Sequence, residues 1–142
     1  MSTDPVEAFI ARWQDVTASE LATAQSFVIE LCRLLDLPEP HHGQDYMFER
    51  PVTFRHGDGG SSAGRIDCYR RGCFVLEAKK LKAGAEGVAS RSYDDSLLRA
   101  RSQAENYARA LPAGEGRPPF VIVVDVGYVI ELYAEFSQSG GT

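Results

Sequence analysis

Long apolar runs are missing from this chain. None approaches the ~18 residues that a membrane-spanning helix requires, so no segment is expected to cross a bilayer. The start, Met1-Ser2-Thr3-Asp4-Pro5, has no apolar stretch behind basic residues, so no secretory signal is expected. Cysteine is scarce. Cys32, Cys68 and Cys73 are odd in number and lack metal-ligand spacing, and they read as reduced thiols in a cytoplasmic protein. The close histidine pair, His41-His42, lies between Pro40 and Gly43 with no cysteine nearby, which fits a solvated turn better than a metal site. The Gly- and Ser-rich stretch His56–Gly64 reads as a loop. It lacks a Gly-Lys-Ser/Thr ending and a following helix, which argues against a phosphate-binding loop. Internal repeats and linkers are absent too.

What is present is ordinary globular material. The 142 residues are 44% hydrophobic and 25% charged, which excludes a wholly disordered or fibrous chain and suits a single domain. A chain of this length buries roughly 68–70% of the surface its unfolded form exposes and needs no staples. The net charge of −5 excludes an indiscriminate nucleic-acid binder, but its distribution is uneven. Residues 1–50 carry −6 and residues 51–142 carry +1. Between positions 65 and 82, Arg65, Arg70, Arg71, Lys79, Lys80 and Lys82 surround the acidic Asp67 and Glu77.

Asp4-Pro5 predicts a helix start, with Val6, Phe9, Ile10 and Trp13 forming its apolar face. Thr17-Ala18-Ser19-Glu20 reads as a capping box. It opens a second helix striped by Leu21, Ala24, Phe27, Val28, Leu31, Leu34 and Leu35 and stopped by Pro38. Tyr46–Phe54 reads as a strand that Pro51 confines to an edge or a bend. Arg65–Tyr69 and Cys73–Lys80 read as a hairpin around Arg70-Arg71-Gly72. Ser90–Leu111 reads as a helix, Phe120–Val126 as a strand buried on both faces, and Tyr128–Tyr133 as a further strand. This order predicts an α/β fold (α+β, with a mixed sheet), in which one central mixed sheet is flanked by helices.

The unusual segment is Glu77-Ala78-Lys79, charge emerging from the apolar strand Phe74-Val75-Leu76. A three-residue turn with Gly72 in the left-handed region pairs Tyr69 with Cys73 and sets Asp67 opposite Val75. Alternation then puts Asp67, Val75, Glu77 and Lys79 on one face, with Phe74, Leu76 and Ala78 on the other. Two converging carboxylates repel each other, and a hard divalent cation such as Mg²⁺ relieves the repulsion. Such an ion activates water and stabilises charge on a phosphate, with Lys79 orienting the water or countering developing charge. The basic residues nearby would hold a phosphodiester backbone. The competing reading of the same residues is a surface ion cluster, worth about 0–1 kcal/mol per pair.

Asp67, nine intervening residues and Glu77-Ala78-Lys79 resemble the Asp…Glu-x-Lys signature of the PD-(D/E)XK nuclease superfamily. Ile66 stands where the nominal motif has proline. Gln103-Ala-Glu-Asn-Tyr107 resembles the Gln-x-x-x-Tyr element of some branches, and Glu30 could be the acidic residue that many members carry before the sheet. At closer range the chain resembles the N-terminal region of MmeI-like (type IIL) restriction–modification enzymes. The motifs that carry this are Phe9-Ile-Ala-Arg-Trp13, Phe48-Glu-Arg-Pro-Val-Thr-Phe54, Gly64-Arg-Ile-Asp67, Arg71-Gly-Cys-Phe-Val-Leu-Glu-Ala-Lys79, Gln103-Ala-Glu-Asn-Tyr107 and Val123-Val-Asp-Val-Gly-Tyr-Val-Ile-Glu-Leu-Tyr133.

The resemblance implies a restriction-endonuclease-like PD-(D/E)XK core at residues 1–136. Its N-terminal helices would lie at about 4–36, the sheet and helix core at about 46–134, and a polar tail at 137–142. It implies a Mg²⁺-dependent endodeoxyribonuclease (Mn²⁺ substituting), the cleavage module of a fused adenine methyltransferase that defends against phage and foreign DNA. Asp67, Glu77, Lys79 and Gln103 would be catalytic. Asp67, Glu77, the Ala78 carbonyl and Glu30 would bind metal. Arg65, Arg70, Arg71, Lys80, Lys82 and Tyr107 would contact double-stranded DNA. The implied partners are the methyltransferase and target-recognition regions of a parent polypeptide. No S-adenosylmethionine site or Asn-Pro-Pro-Tyr motif is present, so the chain is expected to be an excised domain or a truncated product. Cutting both strands with one site per chain requires a dimer or sequential nicking. The alternatives are a catalytically silent nuclease-fold module that holds DNA or docks a methyltransferase, and a stand-alone nuclease of the same superfamily.

Overall fold

Asp4 accepts the amide of Val6 on its side chain at 2.8 Å, and Pro5 occupies a first-turn position where a missing amide costs nothing. This begins α1, Pro5–Trp13, in a computed structural model that describes residues 4–14, 20–40, 43, 45–79 and 91–134. Helix α2, Glu20–Leu34, buries Ala24, Phe27, Val28 and Cys32 along one stripe. Thr17, Ala18 and Ser19 of the expected capping box lie outside the described residues, as do His41 and His42. At the far end of α2, Asp36 takes a left-handed φ of 57°. The amides of Asp36 and Leu37 then return to the carbonyls of Arg33 and Cys32 at 3.2 and 2.8 Å, closing the helix before Pro38.

The strands are β1 (Tyr46–Arg55), β2 (Ser61–Arg70), β3 (Phe74–Lys79), β4 (Phe120–Asp125) and β5 (Val129–Ala134), side by side in chain order. All neighbours are antiparallel except β3 and β4, whose parallel pairing needs the crossover supplied by α3, Arg91–Ala110. The architecture is therefore α+β with a mixed five-stranded sheet, in the expected element order. Pro51 lies in the edge strand β1, where its lost donor is tolerated. Val123 and Val124 of the interior strand β4 are fully buried.

Helices α1 and α2 cover one face of the sheet over Cys68, Leu76, Ala78 and Val124. Helix α3 covers the other over Val75, Val121 and Val123. On the α3 side the buried Tyr69 hydroxyl donates to Glu115 at 2.7 Å, and Arg50 clamps the same carboxylate at 2.7 Å.

Two expectations need correction. The loop expected over 56–64 is shorter, because β2 starts at Ser61 and pairs Thr53 with Ala63, Phe54 with Ser62 and Arg55 with Ser61. Asp58 accepts the amide of Gly60 and Gly59 turns the chain at φ 89°, so five residues suffice for the reversal. The second correction concerns the β2–β3 turn, which is Arg71-Gly72-Cys73 rather than Arg70-Arg71-Gly72. Tyr69 pairs with Val75 and Arg70 with Phe74. Gly72, at φ 69°, is the third residue of a turn closed by the Cys73 amide on the Arg70 carbonyl at 3.0 Å. The register is displaced by two residues, an even number, so the side chains of β3 keep their faces.

Gly127 turns β4 into β5 at φ 91°, and a Cβ there would overlap the carbonyl oxygen of Trp13. The end of α1 thus sits directly on this turn. Gly127→Ala is expected to cost about 1–3 kcal/mol, read as a lower urea midpoint at unchanged slope.

Candidate active site at the fork between two strands

The ladder between β2 and β3 ends at Cys68 and Leu76. Beyond that pair Ala78, only 2% exposed, gives its amide to a side chain: the Asp67 carboxylate accepts it through Oδ2 at 2.8 Å. The same position is irregular on the other flank of β2. Glu49 of β1 has a left-handed φ of 55°, and pairing between β1 and β2 skips from Phe48–Cys68 to Arg50–Ile66. Cys68 consequently packs towards α2 while Ile66 and Tyr69 pack towards α3, which strict alternation forbids. Asp67 sits at this slip. Its carboxylate reaches the main chain of β3 and lines a cleft of about 230 Å³ with Ala24, Gln25 and Val28 of α2 and Phe48, Leu76 and Ala78 of the sheet.

Glu77 and Lys79 point the other way. Glu77 is in register with Val123, and Lys79 with Asp125, on the face that α3 covers. The expected sharing of a face by Val75, Glu77 and Lys79 therefore holds, and so does the opposite placement of Phe74, Leu76 and Ala78. Asp67 departs from that face. It meets the other two at the backbone of Ala78, between Glu77 and Lys79.

Glu77 is 3% exposed and Asp125 is fully buried, so two carboxylates lie inside the protein at neighbouring strand ends. A buried carboxylate is costly without compensation. For Asp125 part of it comes from Tyr93 on the first turn of α3, whose hydroxyl donates to Oδ2 at 2.6 Å. Burial, then this hydrogen bond, pushes the Tyr93 phenol above its ordinary range. Asp125 and Tyr93 were missed by motif reading. Their signal was an acid ending the otherwise apolar run Phe120–Val124. Beside Asp67, the Cys68 thiol is raised by burial, then by the nearby Cys32 and Asp67, which makes it an inert core thiol rather than a nucleophile.

The remaining residues fall in different places. Gln103 donates to the Tyr107 hydroxyl at 2.7 Å, so the two share a helix face as expected. The Tyr107 ring lies over Gly64, where an added Cβ would sit 2.8 Å from it. Both residues line a broad groove between α3 and the β1–β2 hairpin, not the Asp67 cleft. Glu30 pairs with Arg12 of α1 at 3.2 Å and does not line the Asp67 cleft, to which α2 contributes Gln25 instead.

Arg65 pairs with Glu49 at 2.8 Å. Arg70 stacks over Tyr46 at 4.9 Å, and Arg71 pairs with Asp45 at 3.5 Å and donates to the Gly114 carbonyl. Arg70 and Arg71 flank the turn at the start of β3, five residues or about 17 Å along the strand from Lys79. The basic patch expected around the carboxylates is thus split between the two ends of the hairpin. Lys80 and Lys82 lie outside the described residues.

Carboxylate oxygens are the donors that a hard cation takes. Among the described residues no three His, Cys, Asp or Glu side chains gather into a ligand cluster. Asp67 and Glu77 leave opposite faces of the sheet and approach each other only at the backbone of Ala78, so an ion held by both would need main-chain and water oxygens to complete its shell, ligands that Mg²⁺ accepts.

Taken together, the fold is an α+β domain whose parallel strand pair ends in buried acids beside a strand fork. The chain matches the family described as MmeI, N-terminal domain, over residues 1–139, and it belongs to that family. The family marks it as a module of a restriction–modification enzyme. No curated protein and no solved structure matches the chain. Among the described residues no helix is long and apolar enough to cross a membrane.

Tyr93→Phe removes a hydrogen bond to a charged group and is expected to lower stability by about 1.5–3 kcal/mol in chemical denaturation. Tyr69 and Tyr93 both ionise above the ordinary value of 10.0 in the folded state, through burial and then through their bonds to Glu115 and Asp125. A raised folded value means that the stabilisation is complete below pH 10.0 and fades as the pH rises beyond it. The thermal midpoint should therefore fall on the alkaline side, and fall less steeply for Tyr93→Phe.

Proposed function

We propose that this chain is a Mg²⁺-dependent endodeoxyribonuclease domain of PD-(D/E)XK type, the cleavage module of a restriction–modification protein. The observation that carries the reading is the Asp67 carboxylate on the Ala78 amide, which sets Asp67 against the stretch of backbone between Glu77 and Lys79. Membership of the MmeI N-terminal domain family supports it.

Hydrolysis of a phosphodiester builds negative charge on the phosphoryl oxygens as water adds to phosphorus and the ester oxygen leaves. Lys79 supplies a positive charge beside that point and orients the incoming water. Asp67 and Glu77, with the Ala78 carbonyl, would hold the ion. When bound, Mg²⁺ lowers the pKa of water and withdraws charge from the phosphate. The Ala78 amide fixes the Asp67 carboxylate, so this ligand is oriented before any ion arrives. Gln103 acts from the groove beside the hairpin, where it positions Tyr107.

The test is nicking of supercoiled plasmid with Mg²⁺ or Mn²⁺. Glu77→Ala and Lys79→Ala are each expected to lower the rate by at least ~10²-fold while leaving the circular dichroism spectrum unchanged. Chelation of the metal should do the same. Cutting by Lys79→Ala at the wild-type rate would overturn the assignment. Wild-type protein that binds DNA but never cuts, alone or within a parent polypeptide, would establish the silent docking module instead.

A further inference from the structure

The arginines of this acidic domain are mostly neutralised. Arg12, Arg33, Arg50, Arg65, Arg71 and Arg101 each face a carboxylate within 4.0 Å. Among the described residues Arg55 and Arg99 do not, and neither does Arg70, which stacks on Tyr46; Arg99 donates only to the Ser96 hydroxyl, at 3.2 Å. Arg55 and Arg99 both line the groove between the β1–β2 hairpin and the flank of α3, with His56 and Arg109. This groove encloses about 1130 Å³ and no Asp or Glu is among its lining residues. Arg109 donates to Asn106 at 3.0 Å and shares Glu105 only at 3.7 Å. Cations gathered in one groove without a carboxylate among them repel each other, and a polyanion placed between them relieves that repulsion.

The rest of the lining suits phosphates and sugars. Asn106 and Gln103 offer side-chain amides, and the two walls are joined by the Phe54–Tyr107 aromatic contact at 5.5 Å. Tyr107 of the groove lies over Gly64 of β2, three residues before Asp67 on the same strand.

We propose that this groove binds the phosphate backbone of double-stranded DNA, with Arg55 on the hairpin and Arg99 on α3 contacting phosphates from opposite walls. The proposal rests on the nuclease reading for the identity of the polyanion. It moves the main DNA contacts away from Arg65 and Arg71, whose charges are already paired.

The test is binding of a labelled random-sequence duplex by the 142-residue chain, in chelator, across a salt titration. Each phosphate contact contributes about 0.9 to the slope of log K against log salt. Arg55→Ala/Arg99→Ala should therefore flatten the slope by about 1.8, and Arg55→Lys/Arg99→Lys should restore it. Arg33→Ala, on the far side of the fold, should leave it unchanged. If the double variant folds poorly, Arg55→Gln and Arg99→Gln singly should each flatten it by about 0.9. An unchanged slope in the groove variants overturns the proposal, and so does a wild-type chain with no affinity for duplex at low salt. Poly-glutamate bound equally well through the same arginines overturns it in favour of an acidic protein partner. Because binding is read without metal, nicking that survives Glu77→Ala would remove the nuclease reading and leave the binding result standing.

Discussion

The amide of Ala78 needs an acceptor, and the geometry of the site follows from where it finds one. A buried N–H left unpaired costs as much as a lost hydrogen bond. The ladder that could satisfy it ends two residues earlier, at Leu76, and the Asp67 carboxylate takes its place at 2.8 Å. That substitution lets β2 and β3 part without an orphaned donor. It also holds one acid against the peptide that bears Glu77 and Lys79. The fork and the candidate site are therefore one feature: a strand pair opens where a side chain can replace a main-chain acceptor.

The surrounding structure supports the opening from both flanks. On the β1 side, the left-handed Glu49 breaks the pairing opposite Asp67 and lets the alternation of β2 slip. On the β4 side, parallel pairing keeps β3 straight through Lys79 and carries its end next to Asp125. Tyr93 then ties the start of α3 to that acid at 2.6 Å. Asp67 and Asp125 are thus held by hydrogen bonds from two different segments, β3 and α3. Burying charge in this way is common where ionisable groups are used for chemistry.

Charge placement separates this fold from a simple reading of its composition. Arginines close in sequence to Asp67 and Glu77 are drawn off by acids elsewhere: Arg65 by Glu49 and Arg71 by Asp45. Arginines distant in sequence, Arg55 and Arg99, come together across a groove. Exposed pairs contribute about 0–1 kcal/mol each, so their structural weight is small. Their electrostatic effect is larger, because each pair cancels a charge that would otherwise attract phosphate.

Much was legible from local pattern. Element order, the proline at the edge strand, the buried run at Phe120 and the shared face of Val75, Glu77 and Lys79 all follow from side-chain periods of 2.0 and 3.6. On β3 those periods survived a register displaced by two residues, because an even shift preserves faces, whereas on β2 the slip at Asp67 did not. The motifs that place the chain in its family were legible as well, since they are contiguous or evenly spaced in sequence. Tertiary structure decided the remainder. The slip at Asp67, the Tyr93–Asp125 bond, the pairing of Glu30 with Arg12 and the groove around Arg55 and Arg99 each join elements far apart in the chain. A periodic pattern states which way a side chain leaves its own backbone. It does not state which partner a long polar side chain meets, because that is set by how separate elements pack and by which buried donors are left to satisfy.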